Sequence, residues 1–320
     1  MFVMSCDVFF LHEQLSKQMA DVYTNPEKHV VLSNNVKIPI LGLGTSHDGG
    51  YSHEAVVYAL KNCGYRHIDT AKRYGCERYI AQAVKASGVP REEIFLATKC
   101  WPTDYGAATT KEAFLGSCER LAVDYLDMYL MHWPEVSSGV QNRKQLLQET
   151  WRALEVLLDE ERVRVIGVSN FLERHLEMIL EECSVVPHVN QCEFHPFNNP
   201  KALRHFCADR NIQFEGFSPL AKGLALRQPS VIAIAGWHGK TPSQVLIRWS
   251  LQSNVPSIPK STKLERVMEN SKVYDFALTQ EDMTTLENMK QSLTCVDRSS
   301  IQTKIDNPLP DGCVLMTSHT

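Results

Sequence analysis

The feature that most limits what this chain can become is an alternation. Short apolar runs, each followed by a stretch with helical periodicity, recur eight times between residues 40 and 271. The runs fall at 40–45, 66–69, 94–98, 126–131, 164–168, 188–193, 212–217 and 255–258. The helical stretches lie near 52–63, 76–87, 109–121, 144–161, 171–183, 199–209, 241–252 and 263–271. Several runs are apolar almost without interruption, as strands covered on both faces must be, and such strands are parallel. Strand–helix alternation requires a parallel sheet. Eight units in one chain fit a closed (β/α)8 TIM barrel better than an open sheet.

Local signals add detail. Val30-Val31-Leu32 and Val36-Lys37-Ile38-Pro39-Ile40 flank Ser33-Asn34-Asn35, the pattern of a β-hairpin ahead of the barrel. Thr241-Pro242-Ser243-Gln244 is a capping box with proline at the first helical position. An extra helix near 281–290 stands outside the alternation. The expected organisation is an N-terminal tail over 1–28, one barrel domain over 29–292 and a C-terminal tail over 293–320.

Composition narrows the function classes. The 320 residues carry a net charge of -4 and no long basic run, which argues against a nucleic-acid partner. No apolar stretch reaches the ~20 residues of a membrane helix. The N-terminal Met1-Phe2-Val3-Met4-Ser5-Cys6-Asp7 lacks a basic region and reads as a tail, not a signal peptide. Ten scattered cysteines, with no C-x-x-C pair, suit free thiols in a reducing cytoplasm.

In a barrel of this kind the active site lies where the strands end. Asp69 ends the second strand and Tyr74 follows in its loop. Lys99 stands near the end of the third strand and His132 at the end of the fourth. Taken singly, Asp69 reads as a helix cap, Tyr74 as a half-buried ring, His132 as a satisfied core histidine and Lys99 as a snorkelling surface cation. Four ionisable groups on neighbouring strand tops are hard to explain as packing.

Their chemistry is coherent. A free tyrosine has a pKa of about 10, too high for efficient acid–base work near neutrality. A neighbouring ammonium favours the phenolate and lowers that value. Lys99 supplies the ammonium, and Asp69 keeps it charged by pairing. His132 can hold or relay a proton at a carbonyl oxygen. The set suits proton delivery to a carbonyl as hydride arrives at carbon, and the hydride must come from a cofactor. Gly42-Leu43-Gly44-Thr45-Ser46-His47 lacks the third glycine of the dinucleotide fingerprint. Pro259-Lys260-Ser261-Thr262, followed by Arg266, Glu269 and Asn270, offers an anion site at a helix start, or an ordinary solvated helix start; the residues alone leave both open.

These motifs resemble the aldo-keto reductase family. The likeness rests on Gly64-Tyr65-Arg66-His67-Ile68-Asp69-Thr70-Ala71 with Tyr74-Gly75, Ala97-Thr98-Lys99, Tyr125-Leu126-Asp127, Met131-His132-Trp133-Pro134, Ile166-Gly167-Val168-Ser169-Asn170-Phe171, Asn190-Gln191, Phe217-Ser218-Pro219-Leu220 and Ile258-Pro259-Lys260-Ser261-Thr262. It spans roughly residues 30–290. The resemblance implies a barrel that binds NADPH in extended form and reduces aldehydes or ketones without metal, as a monomer. It implies a catalytic tetrad of Asp69, Tyr74, Lys99 and His132, with Tyr74 as acid/base. It assigns Ser169, Asn170 and Gln191 to the nicotinamide carboxamide, Phe217 to ring stacking, and Ser218 and Leu220 to the pyrophosphate. It assigns Lys260, Ser261, Thr262, Arg266, Glu269 and Asn270 to the adenosine 2′-phosphate end. Gly44 and Thr45, at the end of the first strand, join the cofactor set.

The short segment between Pro134 and Thr150 resembles short-loop members. Phe217 departs from the more usual tyrosine, and Ser46-His47 stand where many members place an aromatic. His47, Trp101 and Trp133 are then the expected substrate contacts. The tail after residue 290 does not match the usual closing segment, so the substrate stays open. Two other classes fit the sequence less well. A cofactor-binding sensor or bulk structural barrel is disfavoured by the complete tetrad. A metal-dependent barrel hydrolase is disfavoured by the lack of a strand-end H-x-H pair.

Overall fold

The computed structural model describes residues 28–46, 49–291, 294–296 and 298–307. Two short strands open it, β1 (His29–Val31) and β2 (Lys37–Pro39), paired antiparallel. Asn35 adopts φ 64°, the left-handed turn geometry that asparagine tolerates. Asn34 Nδ2 then donates to the Arg164 carbonyl at 2.9 Å, pinning this hairpin near the start of a barrel strand.

Eight strands follow: β3 (Leu43–Gly44), β4 (His67–Asp69), β5 (Phe95–Cys100), β6 (Leu126–Met131), β7 (Val163–Ser169), β8 (Val189–Glu193), β9 (Gln213–Phe217) and β10 (Ser257–Ile258). All pair parallel, in sequence order. The ring closes between its first and last members: Ser257 N–H donates to the Ile40 carbonyl at 2.8 Å, Gly42 N–H to Ser257 at 2.9 Å and Gly44 N–H to Pro259 at 3.1 Å. The expected (β/α)8 barrel is therefore present, with no open sheet edge to protect.

The helices are α1 (His53–Asn62), α2 (Glu77–Ser87), α3 (Ala107–Leu121), α4 (Arg143–Asp159), α5 (Glu173–Leu180), α6 (Lys201–Ala208), α7 (Pro229–Trp237), α8 (Pro242–Gln252), α9 (Leu264–Ser271), α10 (Gln280–Glu287) and α11 (Ser299–Asp306). The capping box at α8 forms as expected: Gln244 N–H donates to Thr241 Oγ1 at 3.3 Å, and Thr241 N–H to Gln244 Oε1 at 2.9 Å. α10 is the expected helix outside the alternation. Two helices have no counterpart in the sequence reading. α7, in Ser230-Val231-Ile232-Ala233-Ile234-Ala235, is apolar on every side and shows no amphipathic stripe. α11 lies beyond the barrel, within the segment read as a C-terminal tail.

The strands are buried along almost their whole length; every residue of β5 and β6 is inside. Trp151, Phe114 and Trp249 fill the layer between sheet and helices. Packing is tightest where strands meet. A Cβ on Gly167 would lie 2.5 Å from the Val189 carbonyl oxygen, so only glycine fits there.

Candidate active site

β4 ends at Asp69, which is 2 % exposed. Thr45 braces that end, its N–H and hydroxyl both donating to the Asp69 carbonyl, at 3.0 and 2.9 Å. The chain then makes a 3-10 turn over Lys72–Tyr74, stopped by Gly75 at φ 70°. Lys72 Nζ lies 3.0 Å from both oxygens of Asp104, tying the turn to the loop after β5. This lifts Tyr74 over the strand ends.

Lys99 lies inside β5, one residue before the strand's last, and is wholly buried. Its ammonium donates to Asp69 Oδ1 at 2.6 Å, Asp69 Oδ2 at 2.7 Å and the Thr70 carbonyl at 2.9 Å. Its Nζ stands 5.3 Å from the Tyr74 ring centre. His132 leaves the end of β6 with its N–H on the Cys100 carbonyl at 3.0 Å. Its ring meets Tyr74 edge-on at 5.7 Å and Trp101 edge-on at 5.3 Å, and stacks near Trp133 at 6.4 Å. The four residues expected on neighbouring strand tops thus stand together.

A second polar layer lies beneath them. Gln191, on β8, donates to Asp69 Oδ2 at 2.9 Å and to Glu215 Oε2 at 2.8 Å. Glu215 is fully buried on β9; burial first, and the Asp69 carboxylate second, push its pKa up to about 8. His67 Nδ1 is 3.8 Å from Glu215 Oε1. Burial pulls His67 down to about 4, against the opposite pull of the Asp69 carboxylate. Both shifts favour the neutral forms, so this contact is a neutral pair at pH 7 and not a salt bridge. Sequence reasoning missed both residues. The signal was strand alternation: His67 sits two before Asp69, and Glu215 two before Phe217, each on the inward face.

Above lies a cavity of about 410 Å³. Gly44, Asp69, Tyr74, His132, Ser169, Asn170, Gln191, Phe217, Ser218 and Lys260 line it, together with Trp101 and Trp133. Thr45 is turned to the Asp69 carbonyl instead. Leu220 is half-buried against the core. Ser261, Thr262, Arg266, Glu269 and Asn270 lie outside the cavity, on the approach to α9 and on that helix. His47 falls outside the described residues. The sequence reading also missed Ser46, Arg73, Lys222, Ile258, Cys295, Val296, Ser300, Ile301 and Lys304 in the lining.

The last five of these come from beyond the barrel strands. Ile301 and Ile305 of α11 pack with Trp101 and Trp133 in a small apolar cluster of their own. Glu193 accepts the backbone N–H groups of Cys295 at 2.6 Å and Val296 at 3.1 Å. Arg298 donates to the Asn170 carbonyl at 2.6 Å and lies 5.6 Å from the Trp133 ring. Residues after 290 therefore build one wall of the mouth.

The comparisons with known proteins give the family and the fold. The model of the Aldo/keto reductase family matches residues 41–291. The chain belongs to the aldo/keto reductase family. As a member of that family it is an oxidoreductase. It is 48% identical over 283 residues to "Uncharacterized oxidoreductase ZK1290.5" of Caenorhabditis elegans, covering 88% of this chain and 87% of that protein. It is 44% identical over 270 residues to "Glyoxal reductase" of Bacillus subtilis (strain 168), covering 84% and 95%. Among solved structures, an aldo-keto reductase from a Medee basin deep-sea metagenome library superposes with a TM-score of 0.77 at 40% identity, covering 82% of this aldo-keto reductase and 95% of that chain.

Proposed function

We propose that this chain is an NADPH-dependent carbonyl reductase of the short-loop type, reducing aldehydes or ketones to alcohols with Tyr74 as the acid. The observation that carries the reading is the fully buried Lys99, held on Asp69 and set 5.3 Å from the Tyr74 ring. A charge buried this deeply is retained for what it does to a neighbour, because an apolar pair of similar volume would be as stable.

Several features suit the cofactor. Three residues in the loop after β9, Ser218, Ala221 and Lys222, hold left-handed backbone at φ 53°, 48° and 52° without being glycine, and Asn170 does so at 65°. Such strain collects at ligand-holding loops. Asn270 is 3 % exposed, and its Oδ1 has no hydrogen-bond partner among the described residues, which leaves an acceptor for a base or ribose. In this reading Ser169, Asn170 and Gln191 orient the nicotinamide, Phe217 stacks on it, Ser218 and Leu220 hold the pyrophosphate, and Gly44 and Thr45 complete the cofactor set. Lys260, Ser261, Thr262, Arg266, Glu269 and Asn270 hold the adenosine 2′-phosphate end. NADPH supplies the hydride.

The chain's own residues do the rest. His132 and Tyr74 hold the carbonyl oxygen. Tyr74 gives its phenolic proton to that oxygen as charge develops there. Lys99 stabilises the phenolate left behind, and Asp69 keeps Lys99 in place. Trp101 and Trp133 wall the substrate off from water, with His47 assigned to the same set.

A monomer in a reducing cytoplasm completes the proposal. All eight cysteines among the described residues are free. No helix among them is long and apolar enough to cross a membrane. The test is direct: mix the protein with NADPH and a panel of reactive aldehydes and follow the loss of nicotinamide absorbance. Turnover of at least one is expected. Cofactor binding without any turnover would sink the reading.

A further inference from the structure

Arg73 has no role in the chemistry above, yet it is the residue next to Tyr74 and lines the same cavity. It is half-buried, and burial alone lowers its pKa. Among the described residues its partner is the Trp101 ring, 5.3 Å from the guanidinium carbon. Other arginines that are half-buried, and the fully buried Arg248, are treated differently. Arg91 and Arg120 reach carboxylates at 2.7 and 2.6 Å. Arg204 and Arg248 reach carbonyls at 3.2 and 3.1 Å. Among the described residues, Arg73 is the half-buried arginine that donates to no acceptor.

A guanidinium offers five N–H donors in a planar fork and cannot lose its charge in a protein. Taking it partly out of water without an acceptor is unfavourable. The Trp101 ring, 5.3 Å away, offsets part of that. The Trp101 indole N–H is itself buried without an acceptor among the described residues. Among the described residues, neither the Arg73 guanidinium nor the Trp101 N–H has an acceptor.

The charge of the whole mouth points the same way. The chain carries a net charge of -4. Yet among the described residues the cavity lining includes Arg73, Lys222, Lys260 and Lys304 and one carboxylate, Asp69, which pairs with Lys99. Lys222 and Lys260 flank the side assigned to the cofactor. Arg73 lies on the Tyr74 side, where a substrate would stand. A cleft of one sign focuses its field on ligands of the other.

We infer that the substrate of this mouth is a carbonyl compound that also bears a carboxylate, and that Arg73, held on Trp101, receives that carboxylate. The inference rests on the reductase reading above and names its substrate class. Arg73 acts as a specificity-determining residue: it does not touch the reacting carbonyl but fixes the far end of the molecule.

The test uses a matched pair, 4-formylbenzoate and its methyl ester, which differ in charge and little in shape. For the intact protein with NADPH, kcat/KM for the acid should exceed that for the ester by about tenfold or more, the scale of a hydrogen bond to a charged group. In Arg73→Met the ratio should fall to near one, chiefly through KM for the acid, while continued turnover of the ester shows that the variant is folded. Arg73→Lys should keep part of the preference, since an ammonium cannot offer the fork. Raising the salt concentration should weaken the acid and spare the ester. An acid-to-ester ratio near one in the unaltered protein, or a ratio unmoved in Arg73→Met, overturns the inference and leaves the reductase reading standing. Benzoate, titrated against tryptophan fluorescence in a buffer free of other carboxylates, separates the two claims. Binding weakened about tenfold by Arg73→Met supports the anion site even if neither aldehyde turns over, an outcome that would sink the reductase reading alone. Equal benzoate binding by both proteins overturns the anion site.

Discussion

Lys99 Nζ lies 2.6 and 2.7 Å from the two oxygens of Asp69, in a place where Lys99 is fully buried and Asp69 nearly so. The third ammonium proton goes to the Thr70 carbonyl at 2.9 Å, so the cation has no donor left over. Gln191 adds a hydrogen bond to Asp69 Oδ2 at 2.9 Å. The pair is thus oriented from the end of β4 itself and from one further strand, β8.

Lys99→Met removes the cation and leaves the Asp69 carboxylate buried without it. Breaking a buried pair in this way typically costs about 3–5 kcal/mol. Asp69→Asn combined with Lys99→Met removes both charges and should recover most of that loss. Its kcat should nevertheless stay as low as that of Lys99→Met. Denaturant unfolding and steady-state kinetics on the three proteins check this. A double variant as unstable as the single one would mean that the loss comes from packing of the lysine stem. A double variant with normal kcat would remove Lys99 from the chemistry.

Tyr74→Phe keeps the ring that meets His132 edge-on at 5.7 Å, so stability should change little. It deletes the proton donor. The expected loss in kcat is about 10²–10⁴-fold, the usual worth of a positioned acid. NADPH affinity, measured by fluorescence titration, should be unaffected. Normal kcat with hydride transfer shown to be rate-limiting would transfer the acid role elsewhere, with His132 next in line.

Arg266 is exposed on the first turns of α9, away from the cavity. With a 2′-phosphate beside it, Arg266→Ala should weaken NADPH binding by about tenfold, the scale of one charge-assisted hydrogen bond. NADH binding should not move. Equal weakening of both nucleotides would contradict a role at the 2′-phosphate.

The alternation made the barrel legible, and the order of ionisable residues along the strand ends made the four-residue cluster legible. The bounds show the limit: the third run, read as 94–98, extends to Cys100, because its pairing with β6 runs on to Met131, and Lys99 lies near that strand end as expected. What stayed hidden was hidden for physical reasons. His67 and Glu215 lie in short strands that carry other polar residues, Arg66 and Gln213 among them, and nothing singles them out until the inward face is known. Ile301 and Ile305, four apart on α11, carry a helical signal too short to stand alone; it gains meaning only against Trp101 and Trp133. Arg73 was in plain view beside Tyr74, but no sequence pattern shows that it lacks an acceptor.

The layer under Asp69 should give this protein an unusual stability profile. Glu215 is raised from its ordinary value to about 8, mainly by burial, so the folded state holds a proton that the unfolded chain releases. Its contribution is present below the ordinary carboxyl range and is lost as pH rises toward 8. His67 is lowered to about 4, so the unfolded chain binds a proton that the folded state refuses. Its contribution has the opposite sign: stability rises between about 4 and 6.5 and then levels off. The two effects oppose each other below about 6.5, and above it Glu215 acts alone. Stability should therefore fall between pH 6.5 and 8, by about 2 kcal/mol at 1.36 kcal/mol per pH unit. Glu215→Gln keeps an acceptor for Gln191 and cannot ionise, so its curve should be flat over that window. Urea unfolding at a series of pH values measures both. A flat curve in the unaltered protein, or an unchanged slope in Glu215→Gln, would show that another group carries the titration.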